Sequence, residues 1–431
     1  MNRQKIAKAI YKLDAWLESM RNEQGYTGPI SHWWASCLLY SGPMIDWRYE
    51  GIISGYLNLH RITQNTRWLS RAITAGDDIC QAQLPSGKFF NSSFQVGPIE
   101  GGTPHEAAVD VALLELATYL KEMNDDRWEK YYRTAGLNLK EYYLSELWQG
   151  EAFLDQHWNN TLVPNKNATA IEALLLYQTL SGDSMETYVF KAVEVIFRGQ
   201  VLDNSLRHGG VVHLGTGKHQ LAIGIYTARI VGAMVRLYEQ YPNPEYRRSF
   251  QAMGEFLLRL INEHGTYFGY YPHGKLIRCP NWISPSGDVL RALLVLQPHM
   301  NIPQNKIEQL VKVLFTNQHA SGGIATAYKL DKKGAKYLLK SELPDFRDVL
   351  PVVGWCDKTF RALTLLATAE AMNSALSEIG HNSYHEMDCT WNKQLCLYVE
   401  DTKEIHLTAV DGKKTLYQWR KGEWYPKIYR L

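Results

Sequence analysis

The residues best suited to chemistry stand in one short stretch, Ser41-Gly42-Pro43-Met44-Ile45-Asp46-Trp47-Arg48-Tyr49-Glu50-Gly51. A helix running from Asp46 would set Asp46 and Glu50 four apart on one face, with Cβ atoms about 5–6 Å apart. Arg48 lies between them, flanked by Trp47 and Tyr49. Paired carboxylates beside an aromatic wall suit glycoside chemistry: one protonates a leaving oxygen, the other activates water or attacks. The plain alternative is an acidic residue favouring the helix dipole and a Glu–Arg ion pair. A Trp-Arg-Tyr triplet is costly to explain as core at the head of a buried helix, which favours the catalytic reading.

A second polar entry reads Gly101-Gly102-Thr103-Pro104-His105-Glu106. Thr103 with Glu106 three residues on makes a capping box, with Pro104 at the first helical position, so Glu106 has a structural use beside its candidacy as an acid. His105 is a candidate acid, base or hydroxyl partner. Asp110, a turn beyond Glu106, is charged on an otherwise apolar helix and must face a wet cavity or a partner. Further along come His157 and Trp158, then Asn165, Asn167 and Glu172, then His208, His213 and His219 ahead of Tyr226 and Arg229. These three histidines stand five and six apart, wider than metal pairs usually do, so no metal is expected. Trp282 and Asp288 mark a fifth entry; Asp345, Arg347, Asp348, Trp355, Asp357 and Lys358 surround a sixth. Asp46 and Glu50 are the first acid/base candidates, with Glu106, Asp288 and Asp357 as partners. Trp47, Trp158, Trp282 and Trp355 are the stacking platforms; Arg48, His105, Asp110, His157, His213 and Tyr226 are further substrate contacts.

These groups lie far apart in sequence, so the fold must gather them. A glycine turn followed by an aromatic or β-prone stretch recurs at Gly25, Gly87, Gly150, Gly210, Gly265 and Gly322, in steps of 62, 63, 60, 55 and 57 residues. Between the turns lie two helical patterns, first wholly apolar and then amphipathic. Ala107–Leu120 precedes Arg127–Leu144, Ala168–Leu180 precedes Glu186–Arg198, and Leu221–Leu237 precedes Tyr246–Ile261. Asp288–Leu296 and Asn305–Phe315 follow in the same order. Asp357–Met372 reads as a sixth inner helix lacking an outer partner, and Ile6–Met20 as an outer helix lacking an inner one. Their pairing closes an all-α (α/α)6 toroid, which needs no capping repeat. Its inner helices have no outside, so Asp46, Glu50, Glu106, Asp288 and Asp357 are expected around one polar opening of the lumen.

This architecture, over residues 1–378, resembles the six-hairpin glycosidase-like toroids, which include glycoside hydrolases, polysaccharide lyases and sugar epimerases, and also the toroids of terpenoid cyclases. The resemblance implies a carbohydrate-active enzyme, a glycoside hydrolase first, or a lyase or epimerase on the same scaffold. The alternatives are a carbocation cyclase and a non-catalytic glycan-binding toroid. Gln83-Leu84-Pro85-Ser86-Gly87-Lys88-Phe89 is similar to the Gln…Gly…Trp turns of squalene-cyclase-type proteins, yet the Asp-x-Asp-Asp acid motif and an Asp-rich magnesium motif are missing. Trp355-Cys356 resembles part of the lanthionine-cyclase zinc site, but no Cys-His dipeptide follows. Fold likeness alone does not license function.

Composition agrees. The 431 residues carry 46 basic and 44 acidic side chains for a net charge of +2, no footprint for nucleic acid. With 45% hydrophobic residues the chain can bury a large core, and 13 Trp and 26 Tyr leave aromatics to line a cavity. No run is long and apolar enough for a membrane span, and no secretory h-region is visible. The six cysteines are scattered, so a reducing, cytoplasmic setting is expected. Hydrolysis needs no cofactor and none is expected; the partner is a small-molecule or oligosaccharide substrate. From residue 379 to 431 the pattern turns to short β segments, Leu395–Val399, Ile405–Ala409, Lys414–Trp419 and Trp424–Tyr429. They read as a small antiparallel appendage, structural in role.

Overall fold

The computed structural model describes residues 2–26, 28–31, 38–41, 45–90, 106–154, 162–213, 220–319, 321–329, 351–379, 396–399, 404–408, 414–420 and 423–426. Helices among them are α1 (Arg3–Ser19), α2 (Arg48–Thr63), α3 (Thr66–Gln81), α4 (Glu106–Glu122), α5 (Trp128–Asn138, running on as a π-helix over Leu139–Leu147), α6 (Pro164–Ser181) and α7 (Glu186–Gly199). They continue with α8 (Gly224–Gln240), α9 (Pro244–Leu260), α10 (Ser286–Leu296), α11 (Gln304–Thr316), α12 (Val353–Thr364) and α13 (Ala369–Ile379).

The even-numbered helices from α2 to α12 form the inner ring. Each packs on the next, and α12 on α2 completes the circle. Burial follows position: α6 is buried without a break from Pro164 to Tyr177, and α2 from Arg48 to Leu57. In α9 and α3, by contrast, buried residues recur on one side only. The (α/α)6 toroid read from the sequence is the fold of this chain.

One reading of the repeat is corrected. The sixth inner helix stops at Thr364 and a separate helix, α13, starts at Ala369, so α12 does have a following partner. The break carries neither Gly nor Pro, and Thr368, whose hydroxyl accepts from the Ala371 N–H at 3.3 Å, is its only polar cue. Apolar periodicity therefore runs through it unmarked. The N-terminal α1 still occupies the outer ring, packing against both α12 and α13.

Every glycine turn is a miniature hairpin. The bracketing pairs are Arg21 with Tyr26, Gln83 with Phe89, Trp148 with Phe153, Gln200 with Val211, Ile261 with Thr266, and Gln318 with Ile324. The turn glycine has positive φ in all six; in the fourth it is Gly209, one residue before the one counted from spacing. Three turns share a glutamine stitch. Gln83 Nε2 donates to its own turn at Gly87 and to Thr134 on α5 at 2.8 Å. Gln200 does the same to Gly209 and Ser249 on α9. Gln318 bonds Gly322 and, at 2.9 Å, the Ala9 carbonyl of α1. That last amide joins the fifth unit to the N-terminus and closes the outer ring. On the other flank of α1, the fully buried Asp14 accepts from Arg71 of α3 and from the Tyr56 hydroxyl at 3.0 Å.

Because the turns sit where outer helices end, the long connections all enter the inner helices at one end of the ring. The reverse connections are short. At the entry end a small sheet pairs Ala222–Ile223, Gly265–Tyr270, Leu276–Trp282 and Ala327–Lys329 in antiparallel order. The last described strands, Cys396–Val399, Glu404–Thr408, Lys414–Arg420 and Glu423–Pro426, form a four-stranded antiparallel meander. No helix among the described residues is long and apolar enough to cross a membrane.

Close helix contact is purchased with glycine at α12. A Cβ at Gly51 would stand 2.3 Å from an Asp357 carboxylate oxygen, and one at Gly287 would stand 2.4 Å from the Thr359 backbone nitrogen. Gly287→Ala has no side chain to push aside and must part α10 from α12. It is expected to lose about 1–3 kcal/mol, as overpacked cores do, read as a lowered denaturant midpoint with helix content by circular dichroism unchanged.

Candidate active site

The entry end of the ring brings α2, α10 and α12 together. Asp357, fully buried in the first half of α12, holds the Lys358 ammonium at 2.7 Å through Oδ2, while Oδ1 has no hydrogen-bond partner among the described residues. Lys358 Nζ also donates to the Trp47 carbonyl at 3.0 Å. Asp288, half-buried at the head of α10, feels Lys358, Glu50 and Arg229. The heads of α10 and α12 are tied by Thr359 Oγ1 donating to Ser284 O at 2.8 Å. Burial pushes the Asp357 carboxyl up to about 7, opposed by Lys358 and reinforced by Asp288 and Glu50. Burial also raises Asp288, against the pull of Lys358. Both carboxyls hold protons more tightly than an exposed aspartate does.

Aromatic rings flank this group. Trp47 and Trp355 lie 6.1 Å apart, and Trp355 and Trp282 lie 5.6 Å apart. Trp47 Nε1 donates to the Gly354 carbonyl at 3.0 Å, which fixes the indole across the head of α12. Trp47 and Trp355 are half-buried, whereas Trp282 is only 1% exposed and backs the wall from behind. His213 and Tyr226 pair at 4.7 Å at the head of α8.

Deeper in the lumen the inner helices join through a closed circuit of alternating charges. Glu50 of α2 meets Arg229 of α8 at 2.8 Å; Arg229 meets Glu172 of α6 at 2.8 Å; Glu172 meets Arg236 of α8 at 3.6 Å. Arg236 meets Glu115 of α4 at 3.3 Å, Glu115 meets Arg361 of α12 at 3.2 Å, and Arg361 returns to Glu50. Three carboxylates and three guanidiniums balance. Arg291 of α10 stands outside the circuit, 3.5 Å from Glu172. Burial alone would raise Glu50 and Glu172, but the surrounding arginines outweigh it and hold both below the usual carboxylate range.

Of the five carboxylates expected around one opening, Glu50, Asp288 and Asp357 do share the lumen. Asp46 stands two residues ahead of α2, which begins at Arg48. Asp46 and Glu50 therefore do not form the same-face helical pair read from their spacing. Asp46 instead folds onto Arg48, accepting its backbone N–H at 3.0 Å and its guanidinium at 2.8 and 3.1 Å, while Arg48 reaches the Tyr26 carbonyl. Asp110 is fully buried in the first half of α4. Glu106 opens α4, but its side chain, with Thr103, Pro104, His105, His157, Trp158, His219, Asp345, Arg347 and Asp348, lies outside the described residues. Glu115, Arg236, Arg291 and Arg361 were not singled out in the sequence. Each is a lone charge in an apolar run, such as Val289-Leu290-Arg291-Ala292-Leu293, and the argument applied to Asp110 would have found all four.

No family model matches this chain, and no curated relative does. Solved structures do. Glycosyl hydrolase family 88 from Bacteroides vulgatus superposes with a TM-score of 0.55 at 12% identity, covering 84% of this chain and 98% of the other. D-mannose isomerase gives 0.60 at 11%, over 86% and 98%, and cellobiose 2-epimerase from Bacillus thermoamylovorans gives 0.61 at 9%, over 84% and 99%. At such identities the likeness establishes the six-hairpin toroidal fold.

The circuit and the raised carboxyl each set a measurement. Glu172→Gln removes the common anion of three arginines, and losing one side of a buried pair costs about 3–5 kcal/mol; a thermal unfolding curve shifted well below the wild type is expected. The folded protein binds the Asp357 proton more tightly than the unfolded chain, whose carboxyl titrates near 3.8. The wild type therefore loses stability relative to Asp357→Asn as pH rises from about 4 to about 7, and the difference levels off above that. Melting temperatures of both proteins across this range read the effect directly.

Proposed function

We propose that the chain is a carbohydrate-active enzyme acting by general acid/base catalysis at the entry end of the toroid, a glycoside hydrolase in the first instance. The observation that carries this reading is the placing of Asp357, Asp288 and Lys358 beside the half-buried Trp47 and Trp355. A sugar presents an apolar ring face to an indole and hydroxyls to charged side chains, which is the division this wall makes. Asp357, holding a proton near neutral pH, is the acid that protonates a leaving oxygen. Asp288 is the carboxylate that activates water or attacks, and Lys358 keeps the two from repelling as they exchange roles. Glu50, locked between two arginines, is a positioning group.

The solved structures that superpose carry the names of a glycosyl hydrolase, an isomerase and an epimerase, in keeping with sugar chemistry on this scaffold. A carbocation cyclase wants an aromatic cavity with one or two carboxylates at one end. A lumen carrying Glu50, Glu172, Arg229, Arg236 and Arg361 weighs against it.

A panel of aryl glycosides, uronate oligosaccharides and free disaccharides tests the assignment. Asp357→Asn and Asp288→Asn are each expected to lower kcat/KM on the active substrate by about 100-fold or more, in line with general acid/base contributions. The wild-type rate is expected to fall as pH rises through about 7. Trp355→Ala is expected to raise KM with little change in kcat. Asp46→Asn, which weakens the pairing with Arg48, should lose stability rather than turnover. Wild-type turnover by Asp357→Asn would sink the mechanism.

A further inference from the structure

The toroid has a second opening at the end where the short connections lie. A cavity of about 350 Å³ is lined there by the later halves of inner helices, with Asn58 and Arg61 from α2, Glu115 and Thr118 from α4, Arg236 from α8 and Arg291 from α10 among its walls. The entry-end residues Asp288, Asp357, Trp47 and Trp355 take no part in it. It is large enough for a small ligand.

The charge count at this end is uneven. Among the described residues the alternating circuit is neutral by itself, and Arg291 adds a fourth guanidinium to three carboxylates. Its carboxylate contact, Glu172 at 3.5 Å, is already held at 2.8 Å by Arg229. The Arg291 side chain is 9% exposed, and its head lies flat over α8, where a Cβ at Gly232 would be 2.7 Å from Nη1. Burial and the neighbouring Arg361 together lower Arg291 to about 10, the mark of a cation short of counter-charge. The exposed Arg61 adds a further cation at the rim, opposite Glu122. A guanidinium fork whose nearest carboxylate stands 3.5 Å away, with Arg236 on the facing wall, suits a planar or tetrahedral oxyanion, while Ser54 and Thr118 spend their hydroxyl hydrogens on Glu115 and the Leu114 carbonyl. The carbonyl ends of the inner helices also face this end and offset part of the positive charge. They are neutral partners at the rim, whereas Arg291 sits at mid-helix.

We propose that this cavity is a binding site for a small oxyanion, a phosphate or carboxylate group held by Arg291 and Arg236, at the end of the ring opposite the sugar-binding wall. The site goes beyond the catalytic reading and does not depend on it, since the two ends share no lining residue at the reacting group. A ligand seated there bridges α4, α8 and α10, so its occupancy stiffens the inner ring.

The test uses the full chain in a phosphate-free, carboxylate-free buffer, with ionic strength held constant by sodium chloride. Inorganic phosphate in one arm and malonate in the other are titrated by calorimetry and by melting temperature. Saturable binding of either is expected, with a rise in melting temperature, and the arm that saturates names the head group. Arg291→Met is expected to weaken that binding at least tenfold. In the absence of ligand it should melt no lower than the wild type, because it removes a surplus charge. Thr118→Tyr, which fills the cavity from its rim, is expected to abolish binding and serves if Arg291→Met does not fold. Neither anion saturating, or both variants titrating like the wild type, overturns the site. Since the readout is binding, its failure leaves the glycosidase assignment untouched, and the converse holds.

Discussion

A closed ring leaves its inner helices only one place for a charge, the axis. Each inner helix has neighbours on two sides and an outer helix behind it, so any ionised group must meet its opposite across the lumen or bear the desolvation cost alone. The chain answers with a complete circuit, in which Glu50, Arg229, Glu172, Arg236, Glu115 and Arg361 alternate in sign and link α2, α8, α6 and α4 with α12. The circuit ties α2, α4, α6, α8 and α12 to one another across the lumen, and α10 joins it only through Arg291.

Buried ion pairs seldom add stability compared with well-packed apolar groups, so their role here is better sought in specificity. Six hairpins of similar length and composition could close in more than one rotational setting with little difference in apolar burial. The circuit, which needs six charges from five helices to meet at once, discriminates among such settings. It also holds Glu50 ionised directly beneath Asp357 and Asp288, whose carboxyls burial pushes upward. An ionised Glu50 near two carboxyls whose proton affinity burial raises makes an electrostatic gradient along the axis, from one mouth to the guanidinium-rich mouth at the other.

The outer ring has its own logic. Turn glycines with positive φ let each miniature hairpin lie against the next outer helix, and Gln83, Gln200 and Gln318 bind both at once. The same device that joins neighbouring units joins the last to the first. Closure is thus an ordinary repeat contact made between Gln318 and α1, with Asp14 and its arginines finishing the seam on the far side.

The repeat, the order of inner and outer helices, and the closing of the ring were legible in sequence, because they rest on local signals: glycine where φ must be positive, apolar runs where a helix has no exposed face, and near-constant spacing. The value of Asp288, Asp357 and Trp355 as candidates followed from their standing at the heads of such helices. Three things were not legible. Asp46 matched Glu50 in type and spacing, yet a start of α2 two residues later turned it onto Arg48, and helix starts depend on capping contacts that spacing does not encode. The break between α12 and α13 was hidden for the same reason. The charge circuit belongs to the tertiary structure alone: Glu115, Arg236 and Arg361 are separated by more than a hundred residues, and only the closure of the ring, by denying them water, makes them partners.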